Sequence, residues 1–490
     1  MPRSPLMSWR LALPLALGAL VACSPLTPAP QPPSIALPNQ FDTPASSGPA
    51  AAALCWRNYF ADADLQVLIG QALRHNHDLR SARLRVQEAR AAYGIQQAER
   101  WPTLGAQAAA TRARIPADLN LSRQPLLGNQ FQIGVGFNSW ELDFWGRVSS
   151  LESAALESYL ASDAARQALE LSVVAQVAQG YLALAELNER LALAERTVSS
   201  RAESLRIFKR RVELGATSRL ELTQVELLWQ QATMLRAQLE QARATQAQAL
   251  ALLVGVNVAQ LGPVGALDGA WPELAPGLPA ELLTARPDIM AAEHSLRAAQ
   301  ANIAAARAAF LPRVALTSNW STASAELDGL FKNGSADWAF SPSISLPIFD
   351  GGRREAALTL AQVRSEQAVV RYEQTIQAAF RDVADALTAR HWLGEQVQTL
   401  RATQAVQTER ARLAKLRYDS GAARYLEVLD AERDLLTVQQ QRVQAQRALL
   451  SAHVALYAAL GGGSQFLHST AASPAPAHSG CPTEPTRESP

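Results

Sequence analysis

Apolar positions along the chain follow two periods. From Arg147 to about Glu213, Leu169, Val173, Val177, Tyr181, Leu184, Leu187, Leu191 and Val198 step by three or four residues, and the tract has no proline. That spacing predicts one very long amphipathic helix. Ile376, Phe380, Val383 and Leu387 repeat the step in a second tract. Elsewhere the period is two. Phe131, Ile133, Val135 and Phe137 alternate with Gln132, Gly134 and Gly136; Val314, Leu316 and Trp320 alternate with Arg313, Thr317 and Asn319; Trp338, Phe340, Ile344 and Leu346 alternate with Ala339, Ser341, Ser343 and Ser345. Alternation of this kind suits any half-buried sheet and also the strands of a membrane barrel. Trp140, Trp145, Trp320 and Trp338 sit at the expected strand ends, where a barrel carries its aromatic girdle.

The two periods occur twice, in the same order. "HDLRSARLRVQEARAAYGIQQAERWP" pairs with "PDIMAAEHSLRAAQANIAAARAAFLP", so that Asp78 matches Asp288 and Pro102 matches Pro312. "KRRVELGATSRLELTQVEL" pairs with "LRYDSGAARYLEVLDAERD" through Gly215 and Gly421, and Gly255 pairs with Gly461. The offset is about 210 residues before the strands and about 206 after them, a loop-length difference between two copies of one plan. Each copy predicts a helix (near 64–100 and 286–311) ended by proline, two strands, the very long helix, a Gly turn and a returning helix to about Val254 or Leu460. The first copy spans 56–260, with strands about 103–114 and 130–141 and a tip turn about 213–220. A linker, 261–285, leads to the second copy, 286–462, with strands about 313–322 and 338–348 and a tip turn about 419–426.

Helix lengths restrict the packing. The long tract spans about 100 Å at 1.5 Å per residue, and the two shorter helices of a copy together match it. Each copy is therefore expected as one continuous helix beside two shorter ones end to end, with strands at one end and the Gly turn at the other. Four strands do not close a barrel, whereas three chains supply twelve.

Composition refines this picture. The chain has 490 residues, a net charge of +1 and only 6% aromatics. Near-zero charge without a basic face excludes a nucleic-acid partner. Arg3 and Arg10 precede a short apolar run, Leu11 to Val21, which predicts a signal peptide over 1–22. "LVAC" resembles a lipobox with Cys23 as the lipidated residue, and Ser24 after it resembles an outer-membrane sorting signal. Residues 23–55 then read as a Pro-rich tether and 463–490 as a disordered tail. Cys55 and Cys481 are able to pair in an exported protein, but an unpaired thiol is the plainer expectation. No later run of about 18 apolar residues reads as a membrane helix. His75 and His77 fall on different helix faces, and no nucleophile–base spacing occurs, so neither a metal site nor an enzyme is expected.

"ARPDIMAAEHSLRAAQANIAAARAAFLPRVALT", "LPIFDGGRR" and "RYDSGAARYLEVLDAERDLL" resemble signature stretches of the outer membrane factor family, in its TolC-like lipoprotein branch with NodT and OprM relatives. The resemblance covers about residues 40 to 462. It implies a mainly α fold with a membrane β-barrel: a homotrimer with a twelve-stranded barrel, four strands per chain, and a long α-helical periplasmic barrel. It implies the exit duct of a tripartite efflux pump for drugs or other small toxic compounds. The implied partners are a periplasmic membrane-fusion adaptor, an inner-membrane transporter of the resistance-nodulation-division type and outer-membrane lipid. No cofactor is implied beyond the lipid on Cys23. At the tip, Glu427, Asp430 and Asp434 share a helix face, a pattern that a solvated acidic first turn also explains. The resemblance places Asp430 and Leu426 at the aperture, where three copies of Asp430 would favour cations. It pairs Tyr418 with Glu221 as a latch between hairpins, with Arg424 or Arg417 in place of a basic residue missing at Ala423. It sets the adaptor on the turns at Gly215 to Leu220 and Gly421 to Leu426. Type I protein secretion or metal efflux is the alternative for such a channel. A lipid-anchored coiled coil without a pore is the alternative of another class.

Overall fold

The computed structural model describes residues 48–262, 264–265, 267, 271–275 and 281–467. The expected leader, Cys23, most of the tether, and the tail beyond 467 with Cys481 lie outside them. In chain order the main elements are α1 (Ala63–His75), α2 (His77–Ala98), β1 (Gly105–Ile115), β2 (Leu126–Leu142), α3 (Arg147–Glu213), α4 (Arg219–Val254), α5 (Pro287–Ala308), β3 (Arg313–Ser324), β4 (Ala336–Ser345), α6 (Arg353–Asp419) and α7 (Tyr425–Ala459). The two long helices have 67 residues each, and each returns through a Gly turn as expected. The chain divides into two compact units, one holding Val86–Ser162 and Ala292–Tyr372, the other the remaining described residues.

The first unit carries an antiparallel sheet in the order β1-β2-β3-β4, so the central β2–β3 pair joins the two copies. Register puts Ile133, Val135, Trp320, Trp338, Phe340 and Ile344 on one face, all of them exposed. The other face carries Gln132, Thr317, Asn319, Ser321, Ser341 and Ser343. Gly134 and Gly136 lie on this polar face, where a Cβ would come within 2.5 Å of the Ser321 side chain or 2.4 Å of the Ser318 carbonyl. The strand bounds differ from expectation at two points. β2 starts at Leu126, four residues before the expected start at 130, because β1 continues to pair with it as far as Ile115↔Leu126. β4 ends at Ser345, where its pairing with Arg313 ends, and leaves Leu346 outside the strand. Between Phe137 and Trp140, β2 spends three steps while β3 spends two, from Ser318 to Leu316. This bulge centres on Ser139, with φ 52°, whose amide donates to Thr317 Oγ1 at 3.1 Å. One inserted residue reverses side-chain parity, so Trp140 and Leu142 rejoin the apolar face of Val135.

The second unit holds the main core. Val173, Val177, Tyr181 and Leu184 of α3 are buried there with Val383 and Leu387 of α6, as their spacing predicts. Tyr59 and Tyr457 stack at 4.4 Å between centroids, and Phe60 and Trp271 meet them edge-on. Segments expected to be linkers contribute to this core. Leu267 and Leu274 are buried, and the Gly265 amide donates to the Tyr181 hydroxyl, which itself donates to Asp62, the N-cap of α1. The tether expectation fails from residue 48 onward, since the Ala275 amide bonds the Pro49 carbonyl. The tail expectation fails through 467: Gly463 bonds Ala51, and Ser464–Leu467 form a helical turn. Cys55 is buried and disulfide-bonded, which corrects the expectation of an unpaired thiol; its partner lies outside the described residues.

The first expected helix is two helices. Asn76 breaks it by leaving the helical region, capping α2 through the Leu79 amide and donating from Nδ2 to the Leu253 carbonyl at the end of α4. Arg286 does the same work in the second copy, donating to the Ala459 carbonyl at the end of α7. Beside each, a glycine with positive φ permits the approach: a Cβ on Gly255 or Gly461 would lie 2.5 Å from the carbonyl of His75 or Ala285. α3 contains a stretch long and apolar enough to cross a membrane, and more than half of that stretch is buried inside the protein, as suits a core helix.

Candidate functional site

Four helices lie side by side towards the two Gly turns, in the order α4–α3–α7–α6. Leu191, Ala194 and Leu239 join α3 to α4, and Leu205, Phe208, Val225 and Leu429 join α3, α4 and α7. Ala414, Val428 and Ala431 join α6 to α7. Both turns close identically. Gly215 and Gly421 take φ of 69° and 76°, and the next amide, of Ala216 or Ala422, bonds back to Arg211 or Arg417. The helices that follow start differently. Ser218 caps α4 by accepting from the Glu221 amide, whereas Arg424 holds the equivalent place before α7 and supplies no side-chain cap.

The expected latch has other partners. The Tyr418 hydroxyl accepts from the Arg211 guanidinium and makes no bond to Glu221 among the described residues. Glu221 instead accepts from the hydroxyl of Thr217, one helical turn away. The reason is local: Thr217 stands where the second copy has Ala423, so Glu221 finds its donor at home. Arg211 lies over the rings of Phe208 and Tyr418, 5.5 and 5.8 Å from their centroids. Tyr425 continues this stack, with Phe208 at 4.6 Å and Tyr418 at 4.8 Å, and its hydroxyl donates to Ser204 at 2.8 Å. Burial pushes the Tyr425 phenol above its ordinary range. The outer link between the hairpins is thus Arg211–Tyr418 with an aromatic stack behind it.

The acidic face is not bare. Arg417 pairs with Glu427 at 2.5 Å, Arg433 with Asp430 at 3.1 Å, and Arg410 with Asp434 at 2.7 Å. Hydrogen bonds from Arg410 and Arg433 hold the Asp434 carboxyl below the usual carboxylate range. Each of the three acids on the face expected from the spacing therefore carries its own arginine. Leu426 is exposed at the first turn of α7, and Leu220 likewise on α4. Arg424 makes no side-chain bond among the described residues, so Arg417, not Arg424, supplies the basic group within the second hairpin.

Comparison with known sequences agrees with this geometry. The chain matches the profile of outer membrane efflux proteins over residues 68–256 and 278–462. The chain belongs to the outer membrane efflux protein family. It is 43% identical to outer membrane protein OprJ of Pseudomonas aeruginosa over 422 residues, covering 85% of this chain and 88% of that one. It is 41% identical to the solvent efflux pump outer membrane protein SrpC of Pseudomonas putida, covering 83% and 87%. Among solved structures, the open state of the MtrE outer membrane channel of Neisseria gonorrhoeae superposes with a TM-score of 0.83 at 37% identity, over 90% of this chain and 98% of that one. A membrane protein from Pseudomonas aeruginosa superposes with a TM-score of 0.84 at 39% identity, over 89% and 100%.

Arg211 and Arg433 are the tip residues that sequence reasoning missed in this efflux protein. The repeat alignment gave one signal, since Arg211 falls opposite Arg417. Nothing in the sequence shows that Arg211 crosses to the second hairpin while Arg417 stays in its own.

Proposed function

We propose that this chain is the outer-membrane exit channel of an efflux pump and works as a homotrimer. The observation that carries this reading is a protomer with two unmated edges. Among the described residues, β1 pairs only with β2 and β4 only with β3, while the sheet exposes an apolar face. An open edge in lipid leaves backbone N–H and C=O groups unpaired at several kcal/mol each. The helix layer repeats the situation. α4 exposes Leu220, Leu227 and Met234 at seven-residue steps, and α6 exposes Trp392, Val406 and Leu413. Apolar heptads on both edges suit a neighbouring copy on each side. Three copies give a twelve-stranded barrel, and the polar face with Gln132, Asn319 and Ser321 then lines its bore.

The relatives named for solvent efflux and toluene efflux support small, toxic organic compounds as cargo. Cys23 bears the lipid anchor. The exposed turns at Gly215–Leu220 and Gly421–Leu426 receive a periplasmic adaptor, which joins the channel to an inner-membrane transporter of the resistance-nodulation-division type. Asp430 and Leu426 form the aperture. Molar mass from light scattering in detergent, with single-channel recording on the same sample, tests the reading. A trimer that conducts is expected. A folded monomer that inserts and carries no current would refute it. Loss of labelled palmitate from a Cys23→Ala variant tests the anchor separately.

A further inference from the structure

The seam between α3 and α7 is held by two sets of charged groups of opposite character. In the upper set every group is satisfied. Glu186 is buried and accepts from Arg190 at 2.9 Å and from Arg447 at 2.8 Å; Arg190 also reaches Gln440 at 2.6 Å. About 22 Å nearer the turns, at 15 residues along either helix, the lower set is not satisfied. There a cavity of about 300 Å³ opens in the seam, lined by Thr197, Ser200 and Arg201 of α3 and by Glu432, Leu435 and Leu436 of α7. Arg201 is only 5% exposed; one guanidinium nitrogen donates to the Leu228 carbonyl at 2.7 Å, and its Nε has no partner. Glu432 makes no hydrogen bond or ion pair among the described residues.

We propose that Arg201 and Glu432, facing each other across this cavity, form a latch on the gate-bearing helix α7 that tightens when Glu432 takes a proton and slackens when it ionises. The inference rests on the channel reading above. A half-buried carboxylate without a partner is costly, and its neutral form costs less. When α7 swings from α3, water reaches the carboxyl and its ordinary proton affinity returns. The closed seam therefore binds the proton more tightly than the open one, and by linkage acid favours closure. Burial pushes the closed-state carboxyl above the usual range, against the opposing pull of Arg201 on α3 and Lys415 on α6. Arg433 and Tyr425 are the other groups that face Arg201, and Arg196 also lines the cavity. Arg201 stays charged throughout, because a guanidinium does not lose its proton in this range. The upper set acts as the fixed point, so a small change at Glu432 is carried down α7 to Asp430 and Leu426.

The test places spin labels at the exposed Ser199 and Thr437 of the full-length protein in lipid nanodiscs and follows their separation with pH. The distance distribution should lengthen or broaden as pH rises, and Glu432→Gln, which mimics the protonated form, should keep the short distance throughout. Arg201→Gln removes a group that lowers the proton affinity of Glu432, so the midpoint of the transition should move to higher pH. A merely structural role for Arg201 predicts no such displacement. An unchanged pH response in Glu432→Gln, or lengthening on acidification, would overturn the latch. The distance needs no current, so a pH step in a protein that does not conduct would count against the channel and leave the latch standing.

Discussion

Tyr418 is attached to the first hairpin through a cation, and this makes its contribution separable. Tyr418→Phe removes only the hydroxyl acceptor, while Arg211→Ala removes the hydrogen bond and the contacts over the Phe208 and Tyr418 rings. Each element of the link is worth about 1 kcal/mol at an exposed site, a change of about fivefold in a two-state population. Single-channel open probability should therefore rise in Tyr418→Phe and rise further in Arg211→Ala. Equal effects would show that the ring contacts contribute nothing, and no effect in either would remove the pair from the gate. His453 allows a second test at this scale. It is half-buried on α7, and burial, with Arg390 adding and Glu273 opposing, holds its imidazole below the ordinary range. The native state thus binds fewer protons than the unfolded chain, so stability is full above about pH 6.5 and falls as pH drops through the folded value. Thermal melting between pH 8 and pH 5 should show this loss, and His453→Gln should flatten it. Neither Arg211 nor His453 was legible as functional in the sequence. Arg211 meets Tyr418 only through the fold, and His453 looks like any polar position of a long helix.

Regular elements were legible where a period repeats over many residues and illegible where a single contact decides. The apolar spacing gave α3 within a residue or two, because 67 residues leave many positions to agree. The break at Asn76 carries no proline or glycine; it follows from the bond to Leu253, a residue far along the chain. The bulge at Ser139 was hidden for the same reason, since its donor–acceptor partner is Thr317 in the other copy. That bulge makes a testable claim. Deleting Ser139 removes the extra residue and leaves strict alternation, with Trp140 and Leu142 still on the apolar face of Ile133 and Val135. The deletion variant should therefore enter the membrane, assemble and keep its tryptophan emission. An alanine added after Ser139 is a second extra residue that sends Trp140 and Leu142 to the polar face, and it should abolish membrane insertion or lower the melting point of the trimer well below the wild type. An added-alanine variant that melts normally, or a deletion variant that fails to enter the membrane, would show that residue count at the bulge does not set the parity of β2.

At the scale of the molecule, the repeat and the strand number were both legible, and together they required more than one chain; the surfaces that answer that requirement became visible only in the structure. Leu220, Leu227 and Met234 look like core positions in sequence, as do Trp392, Val406 and Leu413, yet the protomer leaves all six exposed. They are exposed because α4 and α6 are the outer members of the four-helix layer. Counted from the helix ends at the two turns, Leu227 lies eight residues up α4 from Arg219 and Leu413 six residues along α6 from Asp419, so their heights differ by only about 3 Å. If a second copy packs its α6 against this α4, the two side chains share one layer of the interface. Burying a leucine contributes about 1.5–3 kcal/mol, and a carboxylate in its place costs that and its own desolvation. Leu227→Glu and Leu413→Lys should therefore each convert trimer to monomer in light scattering while the helical circular dichroism stays intact. Joining the two substitutions in one chain places a glutamate opposite a lysine across every interface and should recover trimer that neither single variant forms. Recovery requires α4 of one copy to meet α6 of another. A double variant as monomeric as its parents, beside singles that dissociate, would leave the edges apolar but assign them different neighbours, and singles that remain trimeric would take these stripes out of the interface.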